Sequence, residues 1–302
     1  MANFFKRFQN ILRSINKHPL AGKHKIKAYY KFLKWQILSR TRKAGLKMEF
    51  TKSTFLFAKK GMEGATGNIY MGLHEFEDMG FLLHFLNSKD LFLDIGSNIG
   101  SYTILASGQI GAKTIAFEPV PSTFNSLKKN IELNNINDRV IAMEVATGST
   151  FGVINFTINL DSENHVRPES FNKLSEDCVN VPILTIDSIT SKHGYPTLAK
   201  IDVEGFETEV LKGMADTLHD RTLNAIIIEL NGSGKRYGFD EDEIHRLFLK
   251  NEFCPYYYDP FTRQLNLLNT YGKFNTLYIR DLDFVKERIA KSDKVSIFSE
   301  IF

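Results

Sequence analysis

The chain has 302 residues, of which 43% are apolar and 24% are charged, enough for a sizeable hydrophobic core in one large or two small domains. This composition excludes disordered, collagen-like and coiled-coil proteins. The net charge of +3 is unevenly distributed: residues 1–50 carry +12, with Glu49 as their single acid, and the remainder carries −9. We therefore expect a basic attachment on an acidic globular body.

The basic attachment, residues 1–46, is predicted to be helical. Between Phe4 and Arg42 apolar residues recur at steps of three and four, and His18, Pro19 and Gly22 divide the segment into two amphipathic helices. No stretch of the chain resembles the apolar core of a signal peptide or a membrane span. We therefore expect a soluble cytoplasmic protein.

The partner of this attachment is open at the level of sequence. One interpretation is peripheral binding to an anionic membrane, because the first helix places aromatic residues beside basic ones. The other is a pair of packed helices whose solvated basic face contacts the acidic body of a second copy. The residues that favour the membrane are Phe4, Phe5, Phe8, Lys6 and Arg7.

Residues 47–86 are predicted to form a short strand or hairpin followed by a glycine-rich loop. The run MEFTKSTFLFAKK alternates as a strand does, and GMEGATGNIYMG has four glycines in twelve residues. Tyr70, His74 and Glu75 lie in or just after this loop, so they are candidate substrate-binding residues in a lid over the site. A purely structural glycine-rich connection is the alternative.

Residues 87–284 are predicted to form the main domain, with a C-terminal tail at 285–302. Five short apolar runs, LFLDIG, TIAFEP, RVIAMEV, LAKIDV and NAIIIEL, alternate with helical patterns, which is typical of β-α-β units. The later runs CPYYYDP, RQLNLL and NTLYIRD predict strands that close the sheet with an antiparallel edge. The predicted fold class is α/β, with a Rossmann-like, mostly parallel sheet.

The run LFLDIGSNIG indicates a cofactor site. Asp94 ends a buried strand, and Gly96 and Gly100 follow where ligands bind at the carboxyl ends of parallel strands. A dinucleotide fingerprint requires glycine where this chain has Asn98, which argues against a nicotinamide cofactor. Glu118 ends the next strand, where a carboxylate can bind ribose hydroxyls. An acid, glycines and a second acid fit S-adenosylmethionine, and the candidate site includes the neighbouring Ser97 and Pro119.

The run KIDVEGFE places a second group of charges at the same sheet edge. Methyl transfer to a hydroxyl requires alignment of the acceptor and removal of its proton. Asp202 and Glu204, with Glu229 at the tip of the fifth strand, are the candidate catalytic residues. Alternatively, Glu204 and Glu207 only cap and solvate the following helix. A divalent metal could bind Asp202 and Glu229 through oxygen ligands, but the sequence does not demand a metal and none is assigned.

Three motifs in this order, DIGSNIGSYT, FEPVPSTFNSLKKNIELN and KIDVEGFETEVLKG, resemble the FkbM family of S-adenosylmethionine-dependent methyltransferases. The resemblance covers roughly residues 60–230. It implies a class I methyltransferase fold, with Asp94, Gly96, Asn98 and Gly100 around the methionine end of the cofactor and Glu118 on its ribose. It also implies O-methylation of a hydroxyl on a sugar or natural product.

Together these patterns predict an O-methyltransferase that uses S-adenosylmethionine and acts on a saccharide or a glycosylated small molecule. A non-catalytic binding protein that kept the fold is the alternative. The basic residues 1–50 lie outside the predicted catalytic unit, so we do not expect a nucleic-acid partner.

Overall fold

The computed structural model describes residues 2–42, 44–158, 164–167 and 178–302. Its helices are α1 (Ala2–Lys17), α2 (Pro19–Lys23), α3 (Lys25–Thr41), α4 (Glu63–Met71), α5 (Phe76–Phe85), α6 (Ser101–Thr103), α7 (Pro121–Leu133), α8 (Ile186–His193), α9 (Glu207–Lys212), α10 (Ala215–His219), α11 (Glu241–Lys250) and α12 (Leu282–Lys291). A π-helical segment, Ile104–Ile110, continues α6, and a 3-10 helix covers Ser233–Tyr237.

The strands are β1 (Leu46–Glu49), β2 (Phe55–Ala58), β3 (Leu91–Ile95), β4 (Lys113–Phe117), β5 (Val140–Met143), β6 (Ala146–Thr147), β7 (Gly152–Thr157), β8 (Cys178–Leu184), β9 (Leu198–Ile201), β10 (Ala225–Glu229), β11 (Cys254–Asp259), β12 (Gln264–Leu267), β13 (Asn275–Ile279), β14 (Ser296–Ile297) and β15 (Glu300–Ile301).

An eight-stranded sheet organises the chain, in the order β12-β11-β13-β10-β9-β3-β4-β5. The strands from β10 to β5 are parallel, whereas β13 is antiparallel to both β10 and β11, and β12 is antiparallel to β11. The predicted α/β fold with a mostly parallel sheet and an antiparallel C-terminal edge is therefore confirmed.

The central strands are mostly apolar because helices cover both faces of the sheet. Successive side chains of a strand point to opposite faces, and accordingly Phe92 belongs to one buried cluster whereas Leu93 and Ile95 belong to the other. The chain leaves β3 for β4 on one side and later reaches β9 on the other side. Such a switch in direction opens a crevice at the carboxyl ends of the strands.

The segment before the sheet differs in part from the prediction. The antiparallel pair β1–β2 confirms the predicted hairpin. The prediction of a glycine-rich loop is wrong, because residues 63–71 form the helix α4. Its glycines serve close packing: a Cβ atom at Gly67 would lie 2.7 Å from the ring of His74, and one at Gly64 would lie 3.3 Å from Oδ1 of Asn98.

The two predicted N-terminal helices are α1 and α3, joined by the short α2. They are packed onto the body, because Ile15, Phe32 and Trp35 are buried in the same cluster as residues of the sheet. His18 Nε2 donates to the carbonyl of Leu73 at 2.8 Å while its Nδ1 accepts from a backbone N–H of α2. Among the described residues, no helix has both the length and the apolarity needed to cross a membrane.

A small sheet, β6-β8-β7, lies between β5 and α8 in the chain. It has its own buried cluster, which includes Val120, Phe156 and Val166. Tyr237, from the 3-10 helix, donates its hydroxyl to the carbonyl of Val166 at 2.6 Å. This sheet therefore packs beside the carboxyl ends of the central strands.

Candidate functional site

A cavity of about 780 Å³ lies at the carboxyl ends of the parallel strands. It brings together every site residue predicted from the sequence except Gly100, which is not among the lining residues. The predicted residues that line it are Asp94, Gly96, Ser97, Asn98, Glu118, Pro119, Asp202, Glu204, Glu229, Tyr70, His74 and Glu75.

The loop after β3 brings backbone into the cavity. The backbone N–H groups of Gly96 and Ser97 both donate to the carbonyl of Phe117, at 3.1 and 2.9 Å. Gly96 has a φ of +78°, and a Cβ atom there would lie 1.8 Å from the carbonyl oxygen of Asp202. Only glycine fits between the ends of β3 and β9, and its bare backbone faces the cavity.

Asp94 fixes the helix that follows this loop. Its Oδ2 accepts from both the backbone N–H and the hydroxyl of Thr103, at 3.0 and 2.6 Å. Complete burial raises the pKa of Asp94 to about 6, although Lys200 and the Thr103 hydrogen bonds oppose the shift. Asp94 therefore caps the first turn of α6 and also lines the cavity.

Glu118 joins the ends of two loops. Its Oε2 accepts from the backbone N–H of Asn98 and its Oε1 from that of Val120, both at 2.9 Å. Burial raises the pKa of Glu118 to about 7, against the effect of these two hydrogen bonds. Because each carboxylate oxygen can accept more than one hydrogen bond, the two oxygens keep capacity for two hydroxyl groups of a ligand.

Lys200 is a buried cation that was not assigned to the site from sequence. It is opposite Asp94 in the register of β3 and β9. Its Nζ lies 2.5 Å from Oδ2 of Asp202 and 4.8 Å from the ring centroid of Tyr102. Burial acts to lower the pKa of Lys200, but the carboxylates of Asp202, Glu75 and Asp94 raise it above its ordinary value. Asp202 is therefore held as one half of an ion pair.

The three predicted catalytic acids lie together. One carboxylate oxygen of each of Asp202, Glu204 and Glu229 lies within 4.8 Å of the others, a spacing that could hold a divalent cation. Burial, followed by the charges of Asp202 and Glu204, raises the pKa of Glu229 well above its ordinary value, which favours its neutral form. Its Oε2 is buried and has no hydrogen-bond partner in the described part of the chain.

Glu207 has the structural role that the sequence leaves open for it. Its Oε1 accepts from the backbone N–H groups of Val203 and Gly205, both at 3.1 Å. These bonds close the turn between β9 and α9. Glu204 lies inside that turn with a left-handed φ of +54°, and it lines the cavity.

The predicted substrate-binding residues form another wall. Tyr70 is on α4 rather than in a loop, and its ring packs edge-on against Phe32 at 5.1 Å. Asn275, at the start of β13, donates to Glu75 at 2.7 Å and to Asp78 at 3.0 Å. Burial and the charge of Glu75 raise the pKa of Asp78 to about 7.

The N-terminal helices α1 and α3 contribute to the cavity wall, which the sequence does not predict. We expected residues 1–50 to lie outside the catalytic unit, and this expectation is wrong for the cavity, because α1 and α3 form part of its wall. The helical spacing of their apolar residues predicts an apolar face but not the surface against which it packs. The wall residues from these helices are Phe8, Ile11, Ser14, Phe32, Trp35, Gln36, Ser39 and Arg40.

Comparison with known proteins identifies relatives with named activities. The chain is 30% identical to a hexuronic acid methyltransferase, AglP, of Haloferax volcanii, over 55% of this chain and 64% of that protein. It is 28% identical to the methyltransferase sdnD of Sordaria araneosa, over 50% of this chain and 70% of that protein. The chain thus spans about two thirds of the length of these relatives.

Solved structures give a weaker similarity. A precorrin-6y C5,15-methyltransferase from Geobacter metallireducens is 10% identical, with a TM-score of 0.39 over 68% of this chain and 87% of that one. A TM-score this low does not establish a shared fold. The fold is therefore assigned from the strand order of the eight-stranded sheet.

The family assignment depends on the match to a family model. The model of the methyltransferase FkbM domain matches residues 94–256, more than half of the chain. The matched range runs from Asp94 through the whole carboxylate cluster to β11. The chain belongs to the FkbM family of S-adenosylmethionine-dependent methyltransferases.

Proposed function

We propose that the chain transfers a methyl group from S-adenosylmethionine to a hydroxyl group of a saccharide or a glycosylated small molecule. The observation that carries this proposal is the single cavity of about 780 Å³, which joins the loop at Gly96 to the carboxylate cluster of Asp202, Glu204 and Glu229. A cofactor and an acceptor need such a shared volume, because the transferred group passes directly between them.

The residues around the loop after β3 fit this cofactor. Glu118 keeps acceptor capacity for a ribose diol, and Gly96 lines the cavity without a side chain. The acids of this sheet edge favour a cationic ligand over a pyrophosphate, and the buried Lys200 is ion-paired with Asp202. When bound, S-adenosylmethionine supplies an activated methyl group on a sulfonium centre.

The carboxylate cluster supplies the groups that handle the acceptor. Asp202, paired with Lys200, would take the proton that the acceptor hydroxyl loses. Glu229, in its neutral form, would donate a hydrogen bond to an oxygen of the acceptor. The two acids therefore have different roles, because Asp202 is ion-paired with Lys200 whereas burial favours the neutral form of Glu229.

A saccharide acceptor is supported by the opposite part of the lining. Trp35 and Tyr70 offer aromatic surface, and Gln36 and Arg40 offer polar groups. Arg40 also donates to Gln36 Oε1 at 2.8 Å. Arg40 and Lys60 add basic groups to the lining, which fits an acceptor with a carboxylate, and the relative from Haloferax volcanii is named for hexuronic acid.

The proposal is tested by incubating the purified chain with methyl-labelled S-adenosylmethionine and three acceptor classes: uronic acids, neutral sugars and glycosylated small molecules. Mass spectrometry should detect one added methyl group. Asp202→Asn is expected to keep affinity for S-adenosylhomocysteine but to lose turnover by about 100-fold. The control Asp138→Asn, whose side chain is 74% exposed, should retain both.

Two outcomes would contradict the proposal in different ways. Cofactor binding without a labelled product from any acceptor would favour the alternative, a non-catalytic binding protein. Absence of cofactor binding by the unmodified chain would remove the cofactor assignment itself. The expected cytoplasmic location stays a prediction.

A further inference from the structure

The outer face of α3 carries a row of exposed apolar side chains. Ile26, Tyr30, Leu33 and Ile37 are 88%, 62%, 52% and 65% exposed. At about 100° per residue, the positions 26, 30, 33 and 37 fall within an arc of about 60° on one side of the helix. We call these four residues the α3 stripe.

The stripe is not the inner face of the helix. The buried residues of α3 are Ala28, Phe32, Trp35 and Ser39, and their positions lie on the opposite side of the helix. That inner face packs into the core and lines the cavity. One helix therefore has two apolar surfaces, of which only the inner one is covered by the described chain.

The surroundings of the stripe are basic. Lys25, Lys34 and Arg40 of α3 are exposed, and the Nζ of Lys34 lies 5.8 Å from the ring centroid of Tyr30. The sequence has no acid before Glu49. Glu300 is paired with Lys23 and His24, and the exposed lysines leave the row beside a net positive surface. Such a surface fits a partner that is both apolar and anionic.

We propose that the α3 stripe binds an anionic membrane surface. A bilayer interface satisfies both requirements, because acyl chains take up the apolar side chains while anionic headgroups neutralise the flanking lysines and arginines. Pairing of the stripe with the same stripe of a second copy would place basic residues against basic residues. The membrane is therefore the better match.

This surface differs from the one that the sequence suggests. Phe8 does not belong to a membrane-binding surface, because its ring packs against that of Phe32, with the ring centroids 5.4 Å apart, and it lines the cavity. The side chains of Phe4, Phe5, Lys6 and Arg7 lie outside the described residues. The proposal depends on α3 alone.

Co-sedimentation of the full chain with vesicles tests the proposal. We expect binding to phosphatidylcholine vesicles that contain about 30% phosphatidylglycerol, weak binding to pure phosphatidylcholine, and loss of binding as salt is raised. The triple variant Ile26→Ser, Leu33→Ser and Ile37→Ser should bind at least about tenfold more weakly. The matched control is Phe151→Ser, Val153→Ser and Leu267→Ser, three residues that are 70%, 70% and 66% exposed, and it should bind as the unmodified chain does.

A second variant tests the charges separately. Lys25→Gln with Lys34→Gln should weaken binding to anionic vesicles and leave thermal unfolding unchanged. Equal vesicle binding by the stripe variant and the unmodified chain would overturn the proposal. So would light scattering that shows an oligomer in the unmodified chain and a monomer in the stripe variant, because the stripe would then be a protein interface.

Discussion

Replacing Gly96 by alanine is expected to damage both the fold and the cofactor end of the cavity. The φ of +78° at Gly96 lies in the left-handed region, where alanine costs about 1–2 kcal/mol. A Cβ atom would also lie 1.8 Å from the carbonyl oxygen of Asp202. The two effects are independent, so a suitable control can separate them.

The contact with Asp202 adds a second cost. Moving the Cβ atom out to 3.0 Å, below which such contacts are essentially not found, requires a shift of at least about 1.2 Å. The backbone N–H of Asp202 donates to the carbonyl of Ile95 at 3.0 Å, and this shift breaks that bond, worth about 1 kcal/mol. With the lost packing, Gly96→Ala should lower the free energy of unfolding by about 3 kcal/mol and the Tm by about 5 °C.

Gly238→Ala is the matched control. Gly238 has a φ of +76°, and no atom lies within 4 Å of its added Cβ, so the variant should lose only about 1–2 kcal/mol. Thermal unfolding measures stability, and titration calorimetry measures affinity for S-adenosylhomocysteine. That affinity should fall at least about tenfold in Gly96→Ala and stay unchanged in Gly238→Ala. Equal losses of Tm, or unchanged affinity in Gly96→Ala, would refute the close-approach argument.

Glu118→Gln replaces an acceptor oxygen by an amide NH₂ donor that faces a backbone N–H. Calorimetry should therefore show at least about tenfold weaker binding of S-adenosylhomocysteine. The control Glu132→Gln, at an exposed residue, should bind as the unmodified chain does. Burial raises the pKa of Glu118 and Glu207 from 4.5 to about 7. The folded cofactor-free chain therefore binds protons at these groups more tightly than the unfolded chain does. Their contribution to the free energy of unfolding is lost as pH rises through about 7. Urea unfolding should show a shallower pH dependence in Glu118→Gln, and an identical one would contradict the argument. Turnover should survive excess EDTA because Lys200 already neutralises Asp202; a loss restored by Mg²⁺ would place a metal in the carboxylate cluster.

The sheet edge could be predicted because its information is local. A buried apolar run that ends in an acid, as at Asp94 and Asp202, identifies both a strand and the position of its carboxyl end. Parallel strands then bring these ends together whatever separates them in the chain. Residues as distant in the sequence as Glu118 and Glu229 therefore line one cavity.

The other walls depend on contacts that leave no local pattern. Asn275 reaches Glu75 across 200 positions of the chain, and neither residue predicts the other. The glycines at 64 and 67 indicate a loop by propensity, yet tertiary packing against Asn98 and His74 makes the segment helical. The spacing of Phe32 and Trp35 predicts an apolar helix face, but it does not predict the surface against which that face packs.

The cavity wall extends beyond the segment that the family model matches. The family model begins at Asp94, whereas the cavity wall that contains Phe32, Trp35 and Tyr70 is built by residues before it. We expect substitutions at Phe32, Trp35 and Tyr70 to change the acceptor preference while leaving the segment that the family model matches intact.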